Sequence, residues 1–152
     1  MKIIRSNGSD PDFIMLSNEL DKLFLEIAGD KSKLEKFTPL NDPVDAEVSF
    51  IAFENEQPVG CIGLKGYDEN CAELKRLFVR PVCRGHGISK LLLSELEKEA
   101  VCRGYKFLIL QTARVLASAV ALYEKAGFEI IDNYGPYAGM TNVLCMRKNL
   151  LP

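Results

Sequence analysis

Leu77-Phe78-Val79-Arg80-Pro81-Val82-Cys83-Arg84-Gly85-His86-Gly87-Ile88-Ser89-Lys90 joins an apolar strand end to a helix start through a loop built on two glycines. The first turn of a helix presents N–H groups without intrahelical partners and roughly half a unit of positive charge, so it accepts phosphate readily. Glycine at positions 85 and 87 lets the backbone come close to such a group, because no Cβ intervenes. Two common phosphate motifs fail here. A P-loop requires Gly, four residues and then Gly-Lys-Ser/Thr, and a Rossmann fingerprint requires a third glycine where Lys90 stands. The stretch therefore reads as a pyrophosphate cradle of another kind, or as a strand-to-helix turn whose glycines serve geometry alone.

On the amino-terminal side, Glu47 to Phe53 alternates as a strand and a turn at Glu54–Pro58 leads into Val59 to Gly66. A third strand runs from Cys71 to Arg80, completing an antiparallel meander. It alternates through Ala72, Glu73, Leu74 and Lys75, then becomes continuously apolar at Leu77–Val79, which predicts burial on both faces at its far end. Before the meander, Asp10-Pro11 signals a helix start, and Phe13, Leu16, Leu20, Leu23, Phe24 and Ile27 recur at helical spacing until Gly29. On the carboxyl side, Ile88, Leu91, Leu92 and Leu96 mark one face of a helix ending at Gly104. Phe107–Leu110 is the apolar run of a central parallel strand, so strand, helix and strand form a right-handed βαβ unit. A helix over Ala117–Ala126 closed by Gly127 follows, then strands Phe128–Ile131 and Thr141–Arg147. The expected fold is α/β with a mixed sheet, an antiparallel meander followed by a parallel crossover, in one domain over residues 1–152.

Composition narrows the function. The 152 residues carry 19 Lys plus Arg against 21 Asp plus Glu, a net charge of −2, which argues against a nucleic-acid binder. No apolar run approaches the ~18 residues needed to span a bilayer, and Met1–Arg5 lacks a signal-peptide core, so the expectation is a cytoplasmic protein without a membrane partner. Cys61, Cys71, Cys83, Cys102 and Cys145 form no C-x-x-C pair and read as buried or half-buried thiols. With His86 as the one histidine, a multi-histidine metal site is excluded, and no metal is expected.

Arg84, Gly87 and Ser89 fall on the Arg/Gln-x-x-Gly-x-Gly/Ala motif of the GNAT superfamily of acyl-CoA-dependent N-acyltransferases, with serine departing at the last position. Leu122-Tyr123-Glu124-Lys125-Ala126-Gly127-Phe128 resembles that family's Leu-Tyr-x-x-x-Gly-Phe signature. The order of elements over residues 1–149 is similar from end to end. The resemblance implies a V-shaped splay between the two central strands that takes acetyl-CoA as cosubstrate. Leu77, Phe78 and Val79 would line its acetyl and pantetheine arm, and the amides of Gly85, His86, Gly87, Ile88, Ser89 and Lys90 would hold its pyrophosphate. A free main-chain donor near Val79 would stabilise the oxyanion, an effect usually worth about 3–4 kcal/mol. Relatives often carry Asn where this chain has Leu116, so one contact to the pantetheine arm is missing or made elsewhere. A dimer through the final strand is common in relatives, which makes a homodimer an open expectation.

The implied reaction is direct attack of an amine on the thioester. An amine of pKa near 10.4 is neutral about once in 10³ at pH 7, a cost of roughly 4.6 kcal/mol, so some group must take its proton. Glu73 is the candidate, against a surface ion pair with Lys75. Tyr123 matches the family's frequent general acid for the departing thiolate, against simple packing on the sheet. Asp42, Asp45 and Glu47 lie near the loop that caps the acceptor in relatives. Arg76 and Arg114 bear on specificity, since an arginine at the carboxyl end of the parallel strand, where Arg114 stands, could fork onto an acceptor carboxylate, against a plain structural salt bridge. Tyr134 and Tyr137 could wall the acceptor site, and His86 should face solvent or the phosphates. The acceptor is expected to be a small amine or amino acid. A protein acetyltransferase and a non-catalytic acyl-CoA sensor are the alternatives.

Overall fold

Asp10 and Gly29 bound the first helix as their chemistry requires. The computed structural model describes residues 1–151. Asp10 accepts hydrogen bonds from the amides of Asp12 and Phe13, Pro11 opens α1 (Pro11–Ala28), and Gly29 closes it in the left-handed conformation at φ 74°. The strands are β1 (Lys2–Ser6), β2 (Val48–Glu54), β3 (Gln57–Gly66), β4 (Cys71–Val79), β5 (Phe107–Ala113), β6 (Glu129–Ile131) and β7 (Val143–Asn149). The other helices are α2 (Ile88–Cys102) and α3 (Ala117–Lys125). The sheet order is β1-β2-β3-β4-β5-β7-β6, antiparallel except for the parallel pair β4–β5, whose register matches Cys71–Glu73 with Phe107–Ile109. The expected α/β mixed sheet with its antiparallel meander and parallel crossover is therefore present.

Contacts divide the chain into two compact units, residues 1–65 with 74–98, and residues 66–73 with 99–151. In the first, Phe13, Leu16 and Leu20 of α1 pack with Ala46, Ile51, Cys61 and Phe78. Asn55 and Glu56, both at positive φ, make the two-residue hairpin between β2 and β3. A register shift between Ala52 and Phe53 sets Pro58 opposite Phe53, an irregularity that accommodates a proline. In the second unit, Asp68 accepts from the amides of Asn70 and Cys71, each at 2.8 Å, and so turns the chain into β4. There β5 and β7 pair over seven residues, from Phe107 with Asn149 to Ala113 with Val143. Among the described residues no helix is long and apolar enough to cross a membrane.

Five expectations change. The amino terminus forms β1, paired with β2 from Lys2–Phe53 to Ser6–Ser49, where none was predicted. The apolar face of α1 stops before Ile27, which is exposed, and on α2 Leu93 is buried while Leu91 faces solvent. Cys102 is exposed, unlike the other four thiols. Burial in β4 is not confined to its apolar end, because Glu73, Lys75 and Arg76 are buried too. Burial of such charged residues in a strand requires that their polar groups find partners.

Candidate active site

The first unit supplies the glycine loop. Gly85 and Gly87 stand at φ +86° and +79° with open space where a Cβ would project, so glycine serves the backbone conformation and not a steric gap. The Gly87 carbonyl accepts from the Leu91 amide at 3.2 Å, which starts α2 at Ile88 and leaves the amides of Ile88, Ser89 and Lys90 outside the helical ladder. Arg84 Nε donates to the Val79 carbonyl at 3.0 Å and ties the loop to the end of β4. His86 is exposed and its Nδ1 donates to the Cys83 carbonyl at 3.1 Å, which fits the expected solvent-facing position. Phe78 and Val79 are buried and Leu77 is half-buried. A Cβ on Gly60 would meet the Phe78 carbonyl at 3.0 Å, Val79 Cγ2 at 3.2 Å and Ile88 Cγ2 at 3.3 Å, so β3, the end of β4 and the first turn of α2 are in close contact.

Arg76 interrupts β4 with φ +56°, a conformation that costs a non-glycine residue about 1–3 kcal/mol. Its side chain holds the distortion by donating to the Ser17 carbonyl and, at 2.7 Å, to Asp21 Oδ1, while its own carbonyl accepts from the Cys61 thiol at 3.3 Å. Arg76 is therefore buried in structural contacts and is not offered to an acceptor. Arg80 is likewise engaged, by both carboxylate oxygens of Glu19.

The second unit holds the two candidate catalytic residues, each among different neighbours. Glu73 is 6% exposed and accepts a hydrogen bond from Tyr134 Oη at 2.5 Å. Lys75 is buried as well, so neither residue is the surface side chain that the alternative reading supposed. Tyr134 lies between Tyr67 and Tyr137 in two edge-to-face contacts, with centroids 5.1 and 5.6 Å apart. Burial and the neighbouring Glu73 charge push the Tyr134 phenol far above its ordinary range, and burial followed by Glu73 pushes Tyr137 up as well. Gln111 hydrogen-bonds Tyr137, and the Cys145 thiol is raised by burial beside Tyr134 and Glu73. Sequence reading singled out Tyr134 and Tyr137 from their glycine-rich loop but missed Tyr67 and the hydrogen bond to Glu73. An aromatic at the turn before β4 gives no local signal of the loop it will meet.

Tyr123 is 7% exposed in α3 and packs edge-to-face on Phe128 at 5.7 Å. Burial alone raises its phenol, so it stays protonated through the physiological range. Arg114 is exposed, and its Nε donates to the Thr141 carbonyl at 2.9 Å. With Ile130, Asp132, Asn133 and Met140 it lines an open groove of about 450 Å³.

The mixed sheet with one parallel pair and the positive-φ glycine loop at a helix start define an α/β domain. The chain belongs to the acetyltransferase (GNAT) family, whose model matches residues 14–128. It is 41% identical over 78 residues to the IAA acetyltransferase of Azospirillum brasilense, covering 51% of each chain. An uncharacterized N-acetyltransferase of Schizosaccharomyces pombe is 34% identical over 98 residues, covering 64% of this chain and 60% of its own. The chain thus spans about half the length of the curated relatives it matches. Among solved structures, a Klebsiella pneumoniae protein assigned as an acyl-CoA N-acyltransferase superposes with a TM-score of 0.81 at 25% identity, over 99% of this chain and 97% of that one. The PaiA N-acetyltransferase of Thermoplasma acidophilum, in complex with coenzyme A, gives 0.73 at 25% identity over 98% and 99%.

The buried acids make stability pH-dependent. The Cys61 thiol is pushed by burial from 9.0 up to about 12, and Tyr123, Tyr134 and Tyr137 are raised above the phenol range. Each keeps its proton to higher pH when folded than when unfolded. Their contribution is complete below pH 9 and declines as pH rises, by about 1.4 kcal/mol per pH unit for each group in its window. Melting temperatures should hold steady from pH 7 to 8.5 and fall from pH 9 upward. A flat profile to pH 10.5 would contradict this burial.

Proposed function

We propose that the chain is one acetyltransferase domain that moves the acetyl group of acetyl-CoA to the amine of a small molecule or amino acid by direct attack. The observation that carries this reading is the loop Arg84–Lys90, with two left-handed glycines opening α2. Its exposed amides suit a pyrophosphate, and Arg84 and Lys90 add positive charge beside them. The CoA complex of the PaiA relative supports the choice of cosubstrate. Leu77, Phe78 and Val79 lead straight into this loop and are the residues assigned to the acetyl and pantetheine arm.

In this reading Glu73 takes the proton of the acceptor ammonium, directly or through water, which frees the lone pair for attack on the thioester carbon. As the carbon–sulfur bond breaks, Tyr123 gives its phenolic proton to the departing thiolate. The acylated nitrogen gives up its second proton to solvent, which also removes the proton held on Glu73 and returns one to Tyr123, so one proton is released per turnover and no covalent enzyme species forms.

The test is free-thiol release from acetyl-CoA across amino acids, polyamines, aminoglycosides and short peptides, with Glu73→Gln beside the parent. One acceptor class should drive steady release, and the amide variant should lose about 10²–10³-fold in kcat. Acceleration by peptides alone would move the assignment to a protein acetyltransferase. Binding of acetyl-CoA without acceleration by any acceptor would favour a sensor, and no binding would refute the reading of Arg84–Lys90.

A further inference from the structure

Glu73 is held by a phenol that is itself restrained by two aromatic neighbours and a fastened loop. Tyr134 Oη meets Glu73 Oε2 at 2.5 Å. The Tyr134 ring stands at 72° to Tyr67 and 82° to Tyr137, so it cannot swing without breaking an aromatic contact. Its backbone hydrogen-bonds the Cys145 thiol of β7. The preceding residue fastens the loop, since Asn133 Nδ2 lies 3.1, 2.9 and 3.2 Å from the carbonyls of Tyr137, Met140 and Val143. Ordering that is complete in the folded protein need not be repeated during the reaction. A phenol used only to fill space would not require its oxygen aimed at a buried carboxylate.

We propose that Tyr134 is the positioning residue of Glu73, fixing the carboxylate in the orientation from which it takes the acceptor's proton. This rests on Glu73 as the base in the reading above. The titratable groups beside Glu73 include Tyr134 and Tyr137 from the loop and Cys145 from β7, with Lys75 two residues along β4. Removing the Tyr134 hydroxyl takes away a donor that orients the carboxylate while leaving the ring in place.

Tyr134→Phe keeps the ring and its two edge contacts and deletes only the hydroxyl. Three readouts are needed: kcat, KM for acetyl-CoA and for the acceptor, and the melting temperature. The expected result is a kcat lower by about tenfold with KM for acetyl-CoA unchanged. A kcat within about twofold of the parent overturns the positioning role, as does a KM for acetyl-CoA that rises in step with the fall in kcat, and a melting temperature lowered without a change in kcat makes Tyr134 merely structural. Glu73→Gln separates the two layers. Full loss in that variant beside an unaffected Tyr134→Phe discards the positioning role alone, whereas full activity in Glu73→Gln discards the base and its positioning together.

Discussion

Replacing Tyr123 by Phe should lower kcat by about 10²–10³-fold while leaving the affinity for acetyl-CoA within about twofold. The substitution removes one oxygen from a ring that is 7% exposed and packs on Phe128 through its edge, so the packing survives. Burial raises the phenol and holds its proton through the physiological range, as the proposed role of proton donor requires. A phenol is the weaker acid, so transfer to a free thiolate in water would be uphill. In the proposed mechanism the same dry surroundings would raise the proton affinity of a thiolate, however, and the transfer would occur as negative charge grows on sulfur. The effect therefore belongs to the transition state, and kcat and kcat/KM should fall together. Pre-steady-state thiol release separates the outcomes: slowed chemistry with intact CoA binding supports the acid. Unchanged single-turnover release would leave Tyr123 as a packing residue, with the departing thiolate protonated by water.

The parts of this molecule legible in its sequence are those whose causes are local. Asp10, Pro11 and Gly29 announce α1 because capping is settled within a few residues, and Gly85 and Gly87 announce a left-handed loop because only glycine enters that region without cost. β1 escaped because Lys2–Ser6 is an edge strand with no buried residue and hence little alternation to read. The burial of Glu73 and Arg76 escaped for a different reason. The Glu73 carboxylate and one guanidinium nitrogen of Arg76 find partners far along the chain, Tyr134 at a separation of 61 residues and Ser17 and Asp21 at 59 and 55. Periodicity registers a charged residue in a strand but not the remote donor or acceptor that lets it stay there. Glu73 was thus identifiable as a candidate base from its place on the third meander strand, while the tyrosines that surround it became visible only once the loop had been folded back.

Phe13→Ala should be the most destabilising single change in the first unit, and its coupling to one glycine should be measurable. Phe13 is fully buried among Leu16, Leu20, Ala46, Ile51, Cys61 and Phe78. Truncating such a ring costs about 3–5 kcal/mol through lost burial and an incompletely collapsed cavity. For a chain of this length that is a fall in melting temperature of roughly 6–20 °C. The site also contains its own control. A Cβ built on Gly63 would stand 2.9 Å from Phe13 Cζ and 3.2 Å from Ala46 Cβ, and Gly63 is not at positive φ, so its restriction is the ring and not the backbone. Gly63→Ala alone should therefore destabilise by overpacking, about 1–3 kcal/mol. With Phe13 already cut to Ala, the new methyl enters the space the ring has left and fills part of the cavity. The double variant should then be more stable than the sum of the single losses predicts, by about 1 kcal/mol or more. Denaturant melts of the four proteins give the cycle directly. Strict additivity would mean that the ring and the glycine do not share the space, and that the tight approach of α1 to β3 at this point is wrong.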